Sequence, residues 1–332
     1  MTTAGAAAAR DAAASEAGGA SAFLTGHRRS GPGGGRRGRN RLRRADHAAG
    51  WAFVSPAVFL IALFGLVPVV WSLVLSLQQT DLTSPGTWSG GANYRRMVHD
   101  PVFWQAARQT LYYSVLFVPI TMALALPIAV LLNQKVRGIL FYRMAVFVPL
   151  VTSTVATGVI FSWLYNPQFG VINAALSKVG LPQQGFFQSS SEALPSVVGM
   201  TVWGWLGFAV IIYLSALQHV PRELMEAAAL DGCGRVRAFW RIELPLLAPA
   251  STFLLVWLTI NALQLFDEVY VTTKGGPLHA STVLVYYLYQ QAFVDFDGGY
   301  AAAIGAVLFV VILIVTVVQL WLSRRSSPYE VY

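Results

Sequence analysis

Between two apolar stretches the chain reads Pro221-Arg222-Glu223-Leu224-Met225-Glu226-Ala227-Ala228-Ala229-Leu230-Asp231-Gly232, and then Arg235 through Pro245 by way of Phe239. Small side chains at Ala227, Ala228, Ala229 and Gly232 let a helix backbone settle into a groove of another protein, with Leu224 and Met225 as larger apolar contacts. Glu226 and Asp231 are then placed to pair with basic groups on the groove rim. A helix parked on lipid is the other reading, which a partly acidic polar face suits poorly on an anionic leaflet. A second group follows at three-residue spacing, Asn261, Gln264 and Asp267, which puts all three on one face of a continuous helix. Amides both donate to and accept from hydroxyls, and Phe266 or Trp257 supplies a flat apolar platform, a combination suited to a sugar ring. The same amides also serve as glue between helices of a bundle. Trp203, Trp205 and Tyr213 are further candidates to line a route, with packing as their alternative role.

Bond-making chemistry is not visible. The histidines 27, 47, 99, 219 and 279 are scattered without ligand spacing, and Cys233 is the single cysteine, so neither a disulfide framework nor a metal site is expected. No nucleophile and base pair is evident, and no catalytic residue is assigned. The Gly31 to Gly35 run lacks the Lys-Ser/Thr of a phosphate loop, so the chain is not itself expected to bind ATP.

The elements that position these residues are membrane helices. Of the 332 residues 55% are hydrophobic and only 11% charged, with mean hydropathy +0.56, a composition outside that of soluble domains. Six apolar runs each long enough to cross a bilayer are expected at 51–77, 111–132, 139–164, 194–217, 247–270 and 301–322. The first has no small-x-small cleavage site behind it and is read as a retained span. Prolines 68, 119, 127 and 149 predict kinks, and an amphipathic piece near 100–108 is expected along the outer surface. The resulting division is a basic disordered tail (1–50), a first span with its outer loop (51–110), a core of five spans (111–322) and a short C-terminal tail (323–332). Arginines crowd the N-terminal tail without interleaved aromatics, which points to lipid and topology rather than nucleic acid. With the tail inside, only Arg95, Arg96, Arg108, Lys178 and Lys274 of the 23 Lys and Arg fall outside, so both termini are expected in the cytoplasm of a multi-pass plasma-membrane protein.

The loop between the fourth and fifth runs is then the longer of the two cytoplasmic loops, the other being the minimal connector 133–138. Pro221 and Glu223 suit a helix start and Gly232 a stop, and a second short helix is expected from Arg235 to Glu243, ended by Pro245.

Glu226-Ala227-Ala228, Asp231-Gly232, Phe239, Ile242, Leu244-Pro245 and Pro249 resemble the EAA loop of permease subunits in binding-protein-dependent ATP-binding-cassette importers. Cys233 departs from the alanine usual there, at similar size. Asn93-Tyr94, Asp100-Pro101, Phe103-Trp104, Asn166-Pro167, Phe169-Gly170, Asn173, Phe266-Asp267 and Gly275-Gly276-Pro277 are similar to the carbohydrate-uptake branch. The resemblance implies an all-helical permease fold of six transmembrane helices. It also implies that Glu226, Ala227, Ala228, Asp231, Gly232, Phe239 and Pro245 form the coupling helix and its support, docking on a cytoplasmic ATPase. The implied partners are a second homologous permease, two copies of the ATPase that bind ATP and Mg in this chain's stead, an extracytoplasmic solute-binding protein and membrane lipid. A self-contained secondary transporter or channel is the alternative; it calls for inverted halves or a mid-membrane carboxylate, neither of which the sequence offers.

Overall fold

The computed structural model describes residues 50–81, 83–84, 86–134 and 137–326. The proposed N-terminal tail and the last residues of the C-terminal tail lie outside them. The chain divides into a unit ending at Val67 and a second from Pro68 onward. The first is represented by the start of the apolar helix α1 (Gly50–Leu75).

The second unit is a helical bundle. After a two-strand hairpin, β1 (Gln78–Gln79) with β2 (Thr87–Trp88), come α2 (Ala92–His99), α3 (Pro101–Leu132), α4 (Ile139–Val151), α5 (Thr154–Leu164), α6 (Val171–Lys178) and α7 (Ala193–Gln218). They are followed by α8 (Arg222–Leu230), α9 (Arg235–Leu246), α10 (Ala248–Leu263), α11 (Asp267–Thr272), α12 (Leu284–Phe293) and α13 (Gly298–Ser326). Four helices, α1, α3, α7 and α13, are long and apolar enough to cross a membrane unbroken, and up to six spans result if each of two bent pairs counts as one.

The bent pairs correct the expected straight runs. The 139–164 run is broken between α4 and α5, which meet at 102°. Pro149 lies in the last turn of α4, and Thr152 and Ser153 then take extended ψ values of 133° and 137°. The 247–270 run ends as a helix at Leu263. Phe266 (φ −143°, ψ −60°) turns the chain before α11, so Asn261, Gln264 and Asp267 do not share one continuous helix face. The expected surface piece at 100–108 is also absent as a separate element. Asp100 accepts from the backbone N–H of Val102 and Pro101 fills the first turn, so α3 runs unbroken to Leu132.

Nor does Pro245 stop α9. The turn Phe239–Glu243 is widened to π geometry, with Leu244 N–H bonding the Phe239 carbonyl, and the helix carries on to Leu246 before bending 62° into α10. The same device precedes Pro68, where Ala62–Leu66 forms a π turn closed by Val67 N–H on the Ala62 carbonyl. A proline ring meets the carbonyl four residues back, and a widened turn gives it room.

The core centres on α3, α7 and α10. Ala125, Ala129 and Ala209 are fully buried there, and Val210, Leu247 and Leu254 fill the remaining space. Small residues permit this close approach in a bundle that lipid cannot squeeze together hydrophobically. At Gly207 the fit against α4 is tighter still: a Cβ would come 2.6 Å from the Val146 carbonyl oxygen. Tyr213, a sequence candidate for the route, belongs to this core at 2% exposure.

Polar fasteners hold the other end. Asn93 donates to the carbonyls of Ser76 and Gln78, both at 2.9 Å, and Tyr94 bonds Ser76 at 2.7 Å. Asp100 accepts the hydroxyls of Tyr287 at 2.6 Å and Tyr300 at 2.5 Å, and Arg96 pairs with Asp297 while lying 4.1 Å over the Tyr300 ring. Asn166 accepts from the backbone N–H groups of Gln168 and Phe169, and buried Asn173 exchanges two 2.9 Å bonds with the Gln184 backbone. Residues that mark the carbohydrate branch in the sequence are therefore largely structural fasteners.

Candidate functional site: an exposed elbow and a polar cavity

The elbow α8–α9 follows from its sequence. Pro221 (φ −60°, ψ 130°) stands just ahead of α8, at the cap position rather than inside the first turn, and Glu223 lies near the positive helix end. At the far end Gly232 takes φ +73°. Its N–H bonds the Ala229 carbonyl at 3.1 Å and Cys233 N–H bonds that of Ala228 at 2.8 Å, the paired closure of a Schellman motif. An L side chain at 232 is strained by that φ.

Glu223, Glu226, Ala227 and Leu230 recur at helical spacing along α8 and all are exposed, Leu230 at 90%. Ala228 and Ala238 face inward and are buried, so Ala228 supports the elbow from within and is not on the outward stripe. Asp231, Gly232 and Pro245 are exposed and Phe239 is half-buried, its ring edge against Trp240. Val236 and Trp240 add further exposed apolar surface. Among the described residues no acid on this elbow is in a salt bridge.

All four candidate pathway residues line one cavity of about 200 Å³, together with Tyr113, Thr201 and Glu268. They meet because the chain breaks after Leu263. Asn261 stays on α10, Gln264 and Phe266 lie in the break, and Asp267 opens α11. Asn261 donates to the Trp257 carbonyl of its own helix at 2.8 Å, leaving its amide oxygen for other partners, and so it does not glue two helices. Phe266 is held in an aromatic group with Tyr270, Tyr286 and Tyr289. A second cavity of about 220 Å³ shares Thr154, Thr201, Trp205 and Glu268 with the first, and adds Thr152 and Thr157.

Trp205 is thus a lining residue. Trp203 packs on Phe161, and Trp257 stacks with Phe253, so neither is part of the lining. Sequence reasoning missed the threonines and assigned Glu268 no role. The only available signal was its adjacency to Asp267. Among the described residues no cluster of three or more metal-ligating side chains occurs.

A family described as the binding-protein-dependent transport system inner membrane component matches residues 103–328. The chain belongs to this family. As a member it is a membrane component of a transport system. It is 35% identical to the lactose transport system permease protein LacF of Rhizobium radiobacter, over 87% of this chain and 98% of that one. It is 33% identical to the sulfoquinovosyl glycerol transport system permease protein SmoG of Agrobacterium fabrum, over 86% and 94%. Its fold is shared with a bacterial ABC transporter involved in the import of the acidic polysaccharide alginate, at TM-score 0.75 and 23% identity, covering 86% of this chain and 99% of that one.

Proposed function

We propose that this permease and a second, homologous one enclose the translocation pathway of an ATP-driven importer that moves a sugar or related solute inward. The bent pairs α4–α5 and α9–α10 each count as one span, giving six with α1, α3, α7 and α13. The uneven distribution of Lys and Arg supports cytoplasmic termini, with α8–α9 on the same side.

The observation that carries the coupling role is the outward stripe Glu223, Glu226, Ala227 and Leu230 on a helix closed at Gly232. Its acids, small residue and bare leucine suit a groove with a basic rim. Two copies of a cytoplasmic ATPase receive such helices, one from each permease, and bind the ATP and Mg; this chain carries no cofactor. Asp231 and Gly232 set the end of the docking helix, while Phe239 and Pro245 shape the joint to α10. An extracytoplasmic solute-binding protein delivers the solute to the cavity at Asn261, Gln264, Phe266 and Asp267. The relatives named for lactose and sulfoquinovosyl glycerol transport support a sugar-like solute.

Mild-detergent purification of the tagged chain from its native membrane tests the reading. A cassette ATPase and a second permease are expected to copurify. Recovery of this chain alone, in a preparation that transports without ATP, would overturn it in favour of a secondary transporter.

A further inference from the structure

Of the five Lys and Arg that the charge count leaves outside, Arg95, Arg96 and Arg108 fall together on α2 and the start of α3. Arg96 is spent on Asp297 and the Tyr300 ring. Arg95 and Arg108 are exposed, and among the described residues neither side chain is in a salt bridge or a hydrogen bond. Arg95 stands one turn before Val98 and Arg108 one turn after Trp104, so each shares a helix side with one of them. The Trp104 indole N–H donates to the Val98 carbonyl at 3.0 Å and ties the two helices together. Val98 and Trp104 are exposed members of the lining of a groove of about 500 Å³ that lies between α2, α3 and α13. Its surface is almost wholly hydrocarbon, and its hydroxyls are already bonded: Thr110 to the Ala106 carbonyl and the Leu284 N–H, Tyr94 to Ser76. Nothing in the groove calls for a polar ligand, whereas the two arginines beside it call for an anion.

Level and length say what supplies both. The apolar run of α3 starts at Leu111, which places Arg108 one turn above the hydrocarbon, among the headgroups. Along α13 the lining runs from Ile304 to Val315, about 16 Å at the helical rise, which matches the depth of one leaflet, about 15 Å. An apolar span of another subunit would fill the groove but bring no anion to the arginines, and a soluble anion would leave the groove bare. We propose that the groove holds one acyl chain of an outer-leaflet anionic glycerophospholipid whose phosphate meets Arg95 and Arg108. The inference uses the membrane orientation proposed above and is independent of the solute carried. Each arginine contributes about 5-fold in affinity for an anionic headgroup. A zwitterionic lipid gains less, because its own ammonium group offsets the phosphate.

The test uses the full chain, purified with its partners, in phosphatidylcholine nanodiscs containing increasing amounts of phosphatidylglycerol brominated on its acyl chains, which quenches nearby tryptophans. The share of quenching due to Trp104 is the difference between the wild type and Trp104→Phe. That share is expected to saturate, with half-quenching at about 5-fold more phosphatidylglycerol in Arg95→Gln or Arg108→Gln and about 25-fold more in the double variant. Brominated phosphatidylethanolamine should be at least about 5-fold weaker on the wild type. Ala107→Phe, which fills the groove from α3, should remove the saturable phase; the arginine variants, at exposed positions, give the readout where that change disturbs folding. Quenching that only rises in proportion to the brominated lipid, equal quenching by phosphatidylethanolamine, unchanged half-quenching in both arginine variants, or a Trp104 shielded from every brominated lipid, as by a helix of the second permease, would each overturn the proposal. Labelling of Arg95→Cys by an impermeant maleimide added outside intact cells keeps a failure of the orientation apart from a failure of the lipid site.

Discussion

Replacing Asp100 with alanine removes three interactions at once. Its carboxylate caps α3 through the Val102 N–H at 2.9 Å and takes the hydroxyls of Tyr287 and Tyr300, which come from α12 and α13. A lost N-cap costs about 1 kcal/mol. Each phenol-to-carboxylate bond contributes about 1.5 kcal/mol, the low end for a charged acceptor because the site is only half-buried. Asp100→Ala should therefore cost about 4 kcal/mol, and Asp100→Asn, which keeps a capping oxygen, about half of that. For a unit of this size that is a fall of roughly 10 °C in Tm for the alanine variant, read from thermal unfolding of the purified importer. The pH dependence has a defined sign. Burial raises the carboxyl's pKa, but the hydroxyls of Tyr287 and then Tyr300 outweigh it, and the net shift is below the ordinary 3.8. The contribution is thus complete above about pH 4 and is lost as pH falls through the lower folded value. Asp100→Asn should flatten that acid limb. Transport per folded molecule at low temperature should stay normal. An alanine variant as stable as the wild type, or one that is stable but inactive, would refute the fastening role.

Three further outcomes follow from the geometry. Glu226→Lys or Gly232→Arg should abolish uptake while membrane insertion and the other spans stay intact, the first by reversing a charge on the outward stripe and the second by forcing a side chain into φ +73°; normal uptake by either variant counts against the coupling role. Gly207→Ala should destabilise the α4–α7 contact by about 1–3 kcal/mol, because its Cβ would meet a backbone oxygen at 2.6 Å, and a lowered Tm checks it. Asn173→Ala strands the Gln184 N–H and carbonyl at a position 3% exposed and should cost about 2–3 kcal/mol, measured in the same way.

The long apolar runs were legible because a bilayer demands some 20 residues of one character, and the α7 run at 194–217 matches its helix to within a residue at each end. The breaks were not. Thr152, Ser153 and Gln264 sit comfortably in a helix, and only tertiary partners decide that they leave it. Gly232 was readable as a stop since an αL closure favours glycine, yet Ala228 could not be told from Ala227 until the direction of burial was known. The cavity residues Asn261, Gln264, Phe266 and Asp267 were picked for a shared helix face that does not exist. They converge nonetheless, because the break folds α11 back toward α5 and α7. The clasp at Asp100 joins residues 187 and 200 positions apart, a separation that no local pattern encodes.

The π turn at Phe239–Glu243 makes the joint between elbow and span a matter of phase. One residue beyond the α-helical repeat is stored there, and each residue is worth about 100° of rotation about the helix axis. Deleting a single residue from the turn would return it to ordinary pitch, set the Pro245 ring against the carbonyl four positions back, and swing the Glu226 stripe by roughly that angle relative to α10. The composition of the elbow would be unchanged and its aim lost. Insertions and deletions across these five residues are thus expected to be far less tolerated than substitutions, and the length of this short segment, more than its side chains, fixes the direction in which the stripe points.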